Sequence, residues 1–304
     1  MSTLDVICVG AATLDTIAAV ATIPADDERV VADAFVTAGG GPAATAAVAL
    51  ARLGARVGFC GVVGNDQAGR AIRDGLADEG VNVDWLDVDD TVQTARSVVL
   101  ASASSGGRTI VTTRAPEPHP RAVPLEAARW VHVDQSGLDP VRSALAATPD
   151  RPRLSIDAGN PMTARDWTGV DLYVPSVPSL RHRYPAAPTI EAALAAATDE
   201  GAAQVVATDG ARGSWVRADG VNHHVASFTV EVVSTLGAGD VFHGALLAGL
   251  VTGRSLLDAV RDANAAAAMS CRALDGRSAI PRRDALDAFV AKRAESVTMS
   301  GSAQ

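Results

Sequence analysis

Hydrophobic and polar positions follow two rhythms along this chain. Leu4-Asp5-Val6-Ile7-Cys8-Val9-Gly10 is an apolar run ending in Gly, the pattern of a strand covered on both faces. Segments 13–22 and 29–37, rich in Val, Ala and Thr, alternate in polarity and predict half-exposed strands. Residues 42–53 predict an Ala-rich helix closed by Gly54. Arg56–Gly64 reads as a second buried strand, and 67–79 as an amphipathic helix ending at Gly80. Segments 92–101 and 107–113 predict a strand pair across Ser104-Ser105-Gly106-Gly107. From about residue 129 strands and helices alternate: Trp130–Asp134, helix 139–147, Leu154–Asp157, Leu172–Val174, helix 190–200 and Gln204–Ala207. A short β pair, 213–218 and 222–226, precedes closing helices at 241–251, 255–273 and 283–294.

This order predicts an α/β fold, a doubly wound and mostly parallel sheet flanked by helices. With no repeats and no long linker, residues 1–294 read as one domain, with a small β-sheet inserted from about 12–38 and 92–114. Residues 295–304 are small and polar, and a disordered tail is expected there.

Composition narrows the function. The chain is 48% hydrophobic but only 4% aromatic, which suits small-residue helices packed on Val-rich strands. A net charge of −9 argues against nucleic acid as a partner. No apolar stretch reaches the roughly 18 residues of a membrane span, so no membrane partner is expected. The N-terminus lacks the basic region of a signal peptide, and Cys8, Cys60 and Cys271 are scattered, which points to a reduced, cytoplasmic protein. Lys292 is the sole lysine, near the C-terminus. That excludes a Walker A loop, a protein-kinase strand lysine and Schiff-base chemistry. Any phosphate chemistry must then rest on backbone N–H groups, arginine and a metal.

The densest candidate chemistry is Thr235-Leu236-Gly237-Ala238-Gly239-Asp240, running into the apolar segment from Val241. A helix N-terminus presents unpaired N–H groups and partial positive charge, and small residues let an anion approach them. An anion cradle beside the carboxylate of Asp240 suggests phosphoryl transfer to a hydroxyl; read alone, the turn is equally a capped helix start. Gly39-Gly40-Gly41-Pro42-Ala43-Ala44-Thr45 opens the first long helix and allows close backbone approach to a ligand, or is simply a loop with Pro in the first helical turn. Thr208-Asp209-Gly210-Ala211-Arg212-Gly213 follows a buried strand, where open α/β sheets bind ligands. Asp15 stands just beyond the carboxyl end of the first strand, as a substrate contact or a solvated side chain.

These pieces, in this order, resemble the PfkB (ribokinase-like) family of carbohydrate kinases. Gly40-Gly41-Pro42-Ala43-Ala44 through Leu53-Gly54, then Gly61-Val62-Val63-Gly64-Asn65-Asp66 and Gly69, match the first family signature; Thr235–Asp240 on to Gly244 match the second. The Gly39–Ala49 run, Asp240–Ala245 and Gly276-Arg277-Ser278-Ala279-Ile280-Pro281 most resemble its sulfofructose-kinase branch. The resemblance implies an ATP- and Mg²⁺-dependent kinase acting on a sugar CH2OH. Asp240 is then the general base, and Gly237, Ala238 and Gly239 form the anion hole. It also implies sugar contacts at Asp15, Gly40, Gly41 and Thr45, and nucleotide contacts at Thr208, Gly210, Gly213 and Asn264. The β insertion would be a lid that also forms a homodimer. Arg29, Arg114 and Arg96, in the lid segments, are candidate contacts for an anionic group on the substrate.

Three positions depart from the family pattern. Thr45 stands where an Asn is usual. Pro175-Ser176-Val177-Pro178-Ser179 replaces the Asn-x-x-Glu motif that supports Mg²⁺, leaving Asp157 and Asn160 as candidates for that support. Ser234 replaces the Asp that opens the second signature, so a monovalent-cation site is in doubt. A nucleoside kinase and a catalytically weak sugar- or nucleotide-binding protein remain as alternatives.

Overall fold

Strands built from unbroken apolar residues need cover on both faces, and those of this chain lie at the middle of one sheet. The computed structural model describes residues 4–146, 148, 151–162, 164 and 166–301, with side chains to residue 293. The central strand is β1 (Leu4–Val9), in which Val6, Ile7, Cys8 and Val9 are fully buried. It pairs in parallel with β4 (Val57–Gly64) on one side and β8 (Ala128–Val133) on the other. Beyond β4 lies β5 (Asn82–Asp89), also parallel. Beyond β8 come β9 (Arg153–Ala158), β10 (Leu172–Pro175) and β11 (Gln204–Thr208), all parallel. The antiparallel pair β12 (Ser214–Ala218) and β13 (Val221–Val225) completes a nine-stranded sheet.

The chain winds outward from β1 in one direction and, after β5, returns to wind outward in the other. The switch point therefore lies between β1 and β8, and a crevice opens there at the strands' carboxyl ends.

One face of the sheet is covered by α1 (Pro42–Arg52), α6 (Ala238–Val251), α7 (Leu256–Ser270) and α8 (Arg283–Gly301). Against the other pack α3 (Leu138–Leu145), α4 (Val177–Arg183) and α5 (Ile190–Asp199). α2 (Gln67–Asp78) packs beside β5, and its N-cap carboxylate, Asp66, accepts from Gly69 N–H at 2.8 Å. Gly244 shows how closely α6 lies on α1, since a Cβ there would stand 2.4 Å from Ala46 O.

The insertion expected from 12–38 and 92–114 is a separate four-stranded sheet. It is ordered β3 (Ala34–Gly40), β2 (Thr13–Val20), β6 (Arg96–Ser102), β7 (Arg108–Thr112). β2 and β6 run parallel, and the outer pairs are antiparallel.

Two elements were not legible in the pattern. β5 carries Asp at 84, 87 and 89 and is mostly half-exposed, as an edge strand can be, so it lacks the signature of a buried parallel strand. α4 is short, contains Pro178 in its first turn, and is recognisable chiefly by its cap. α8 continues past 294 into the segment expected as a tail, because no Gly or Pro interrupts Ala285–Ser300; residues 302–304 of that expected tail lie outside the described residues. Among the described residues, no helix is long and apolar enough to cross a membrane.

Candidate active site

A cleft of about 980 Å³ opens over the carboxyl ends of the parallel strands, between the small sheet and the N-termini of α1 and α6. Beneath its lining lies one carboxylate, at the end of a strand, that holds Ala11 and Ser136 of that lining. Asp134, fully buried after β8, accepts N–H bonds from Ala11 (2.8 Å) and Ala43 (3.2 Å) with Oδ2, and from Ser136 (2.8 Å) and Gly137 (3.2 Å) with Oδ1. It thereby ties β1, α1 and α3 to β8 at the switch point. Burial pushes its pKa up to about 6, against the pull of these donors. Gly10 is glycine because a Cβ would sit 2.2 Å from Asp134 Oδ1. The available sequence signal was an Asp ending an apolar strand ahead of Ser136-Gly137.

One wall is the glycine turn before α1. Gly41 has φ 90°, and a Cβ at Gly40 would meet Asp15 Oδ2 at 2.0 Å. The glycines thus let Asp15, braced by Thr13 Oγ1 at 2.7 Å, reach the cleft beside Gly40, Gly41 and Thr45. Behind the turn stands Arg277, noticed in the sequence only as part of a matching run. It donates to Gly40 O at 2.8 Å and Thr45 Oγ1 at 3.2 Å, and a Cβ at Gly39 would strike its Nη1 at 2.4 Å. Burial lowers the Arg277 pKa to about 10, while the charges of Asp15 and Asp240 act the other way.

The opposite wall is the start of α6. Gly237 is left-handed (φ 71°) and packs on Gly276, 2.9 Å from where its Cβ would lie, so this turn requires glycine. Nothing lies within 4 Å of a Cβ built at Gly239, which leaves that side of the turn open to the cleft. Ala238 differs from its neighbours: its N–H is directed to Thr235 O at 3.3 Å, and it does not line the cleft as Gly237, Gly239 and Asp240 do. Burial, then the negative charge of Asp157, raise the Asp240 pKa well above the usual carboxylate range, while Arg108 and Arg277 pull it down.

Asp157 lies on the floor and accepts from Gly159 N–H at 2.8 Å. His243 Nε2 approaches it at 3.3 Å. His243 and its neighbour His132, with ring centroids 5.4 Å apart, are buried and held neutral, each with a pKa pushed down to about 3. No group of three metal-ligating side chains forms among the described residues. Asp157 fits Mg²⁺ nonetheless, because that ion is held by as few as one carboxylate and completes its shell with water and phosphate. A cation at Asp157 would also relieve its repulsion of Asp240. Ser176 and Ser179 do not share in this. Their hydroxyls bond to each other at 2.8 Å, Ser176 caps α4, and Ser179 donates to Gly159 O at 2.9 Å. Asn160 donates to Gln135 Oε1 at 3.2 Å at the cleft's edge. Ser234 is likewise engaged, accepting from Leu236 N–H at 3.2 Å.

Other expected contacts fall in different places. Thr208 and Arg114 line the cleft, whereas Gly210 and Gly213 lie outside its lining. Gly213 is a tight crossing, where a Cβ would stand 2.1 Å from Val225 O. Asn264 requires correction as a nucleotide contact: it is buried, accepts from Ser214 Oγ at 2.8 Å and donates to Val225 O at 3.1 Å, so its amide braces α7 against β12 and β13. Arg29 stands in the exposed loop between β2 and β3, outside the cleft lining, and Arg96 is likewise exposed and outside it. Arg108, not singled out in the sequence, reaches from β7 to Thr235 Oγ1 at 2.9 Å.

The family model for pfkB family carbohydrate kinases matches residues 3–148 and 160–283. A ribokinase of Bacillus subtilis is 29% identical, over 92% of this chain and 98% of its own. An aminoimidazole riboside kinase of Salmonella typhimurium is 28% identical, over 88% of this chain and 92% of its own. A fructokinase double mutant from Vibrio cholerae O395, solved with fructose, ADP and potassium ion bound, superposes with a TM-score of 0.79 at 26% identity, covering 95% of this chain and 99% of that one.

Proposed function

The chain belongs to the pfkB family of carbohydrate kinases and is a sugar kinase, and from that premise we propose that it transfers the γ-phosphoryl group of ATP to a primary hydroxyl of a neutral sugar. The observation that carries this reading is the placement of Asp240 and the open side of Gly239 in one cleft with Asp15 and the Gly40–Gly41 turn. The sugar lies against Asp15, Gly40, Gly41 and Thr45, which orient its CH2OH toward Asp240. The hydroxyl oxygen attacks the γ-phosphorus as Asp240 takes its proton, and the bond to the bridging oxygen breaks to release ADP. The N–H groups at the start of α6 face the charge that spreads over the transferred group. The triphosphate runs from this turn toward Thr208. Mg²⁺, which Asp157 with water would hold, would supply charge neutralisation of the phosphates when bound.

Two features of the lining choose the substrate class. Its carboxylates (Asp15, Glu117, Asp139, Asp157, Asp240) outnumber its arginines (Arg108, Arg114), which favours a polyol over an anionic sugar. No Phe, Tyr or Trp lines the cleft among the described residues, which favours a sugar over a nucleoside, although one relative is an aminoimidazole riboside kinase. The test is ATP consumption with hexoses, pentoses, phosphosugars, sulfosugars and nucleosides. Turnover with a neutral sugar bearing a CH2OH group is expected. Saturable binding without turnover on any of them would overturn the kinase reaction in favour of a binding protein.

The outer face of the small sheet supports a homodimer. Phe35, Val98 and Val111 are 72%, 53% and 68% exposed there, on β3, β6 and β7, with Thr16, Thr37 and Thr109 between them. With Arg96 the one charged side chain among these strand positions, a β face this apolar is a docking surface rather than a solvated one. Light scattering is expected to give a dimer for the native chain and a monomer for the Phe35→Glu/Val111→Glu double variant. A native monomer would refute the interface. The buried, unpaired Cys8, Cys60 and Cys271 fit a reducing, cytoplasmic setting.

A further inference from the structure

We propose that Arg108, carried by the small sheet, completes the anion hole by supplying positive charge to the transferred phosphoryl group. The inference rests on the kinase reading above and goes beyond it, because Arg108 lies outside both glycine signatures.

Its position is the first argument. In the register of β6 and β7, Arg108 is paired with Ala101 and shares the cleft-facing side of the sheet with Ile17, Val99 and Ile110. From there its Nη1 donates to Thr235 Oγ1 at 2.9 Å, five residues before Asp240. The guanidinium therefore stands at the turn that leads into α6, in the same cleft lining as Gly237, Gly239 and Asp240. Among the described residues its other donors make no further hydrogen bond, and the side chain is exposed to the cleft. A planar guanidinium with donors to spare suits phosphoryl oxygens better than a point charge does.

The second argument is elimination. Arg108 and Arg277 are the cations that lower the Asp240 pKa most. Arg277 is held behind the glycine turn by Gly40 O and Thr45 Oγ1, and it contributes only a field. Arg114 also lines the cleft, but it lies beyond the end of β7, and Arg108 is the arginine that bonds to the Thr235 turn. The sole lysine, Lys292, belongs to α8 and does not line the cleft. The transfer step itself is unchanged: the γ-phosphoryl group passes from the bridging oxygen to the sugar oxygen, and the proton goes to Asp240. Arg108 donates hydrogen bonds to the equatorial oxygens while charge is spread over them. Because it belongs to the small sheet, full transition-state stabilisation requires that sheet to be seated over the turn.

The test compares the wild-type chain with Arg108→Ala and Arg108→Lys. Each is measured for kcat and KM with the best sugar of the panel, and by calorimetry for binding of ADP with and without aluminium fluoride, a mimic of the transferred group. Wild type is expected to bind ADP more tightly when fluoride and sugar are present. Arg108→Ala is expected to keep its ADP affinity, lose that tightening, and fall in kcat by about 10²- to 10³-fold with little change in KM. Arg108→Lys is expected to fall between them, and added guanidinium to restore part of the Arg108→Ala rate. An unchanged kcat with the tightening retained would overturn the proposal. So would a loss confined to the KM for sugar, which would make Arg108 a sugar contact. A wild-type chain with neither turnover nor fluoride-dependent tightening would instead refute the kinase reading, an outcome separate from an active enzyme indifferent to Arg108.

Discussion

Asp240→Asn is expected to fold, bind sugar and nucleotide, and lose turnover by roughly 10²- to 10⁴-fold, the usual cost of removing a general base. The amide keeps the shape of the side chain but cannot take the proton from the hydroxyl. The same variant carries a stability prediction of opposite sign to most active-site changes. Burial and Asp157 raise the Asp240 pKa above its unfolded value, so the folded state holds this proton more strongly. Stability from this group is present at low pH and is lost as pH rises through the raised pKa, which makes the ionised carboxylate a cost at neutral pH. Asp240→Asn removes that cost, and its melting temperature at pH 7–8 is expected to equal or exceed that of wild type. For the native enzyme the sign works on activity as well. The base must be ionised, so kcat/KM is expected to fall as pH drops, with an acid limb above the roughly 3.9 of an ordinary Asp. Melts and steady-state rates across pH check all three outcomes. Retention of most wild-type turnover in Asp240→Asn would place the base elsewhere.

The second large effect is expected at Asp134, through the fold rather than the chemistry. Asp134→Ala strands three N–H groups, those of Ala11, Ala43 and Ser136, at the switch point, while Gly137 N–H keeps its bond to Asp134 O. Each buried donor left unpaired costs about 1–3 kcal/mol, so even partial rescue by water leaves a loss of ~3 kcal/mol or more. At about 2 °C per kcal/mol for a chain of this size, the melting temperature is expected to drop by ~6 °C or more. Asp134→Asn is no remedy, because its NH2 group would face two of the donors. Surviving folded molecules are expected to bind sugar more weakly, since Ala43 N–H anchors the helix that follows the Gly40–Gly41 turn. A melting temperature within about 2 °C of wild type, measured by calorimetry, would show that the clamp is dispensable.

These two residues differ in how far they were legible. Asp240 stands in a contiguous stretch whose geometry is local: a left-handed Gly237, small residues and a helix start. Such a turn is specified within six residues, and the chain announces it. The glycine run before α1 announces itself in the same way, although the reason for each glycine is remote. Gly39 yields to Arg277, and Gly40 to Asp15. Asp134, by contrast, is merely the end of a strand until Ala11, 123 residues earlier, is brought against it. Asn264 shows the same dependence: the family resemblance implied a nucleotide contact there, while its amide bonds to Ser214 and Val225 only once α7, β12 and β13 are packed together.

By itself, the sequence determined the order of elements, the parallel core, the inserted small sheet and the two turns that face each other across the cleft. Each of these follows from periodicity or from backbone conformations that few residues tolerate, and both are properties of neighbours along the chain. Only the tertiary structure decided which charges surround Asp240. Asp157, Arg108 and Arg277 arrive there from three separate segments, and burial sets the strength of their fields. Those charges depend on distance and on exclusion of water, neither of which exists until the chain has folded.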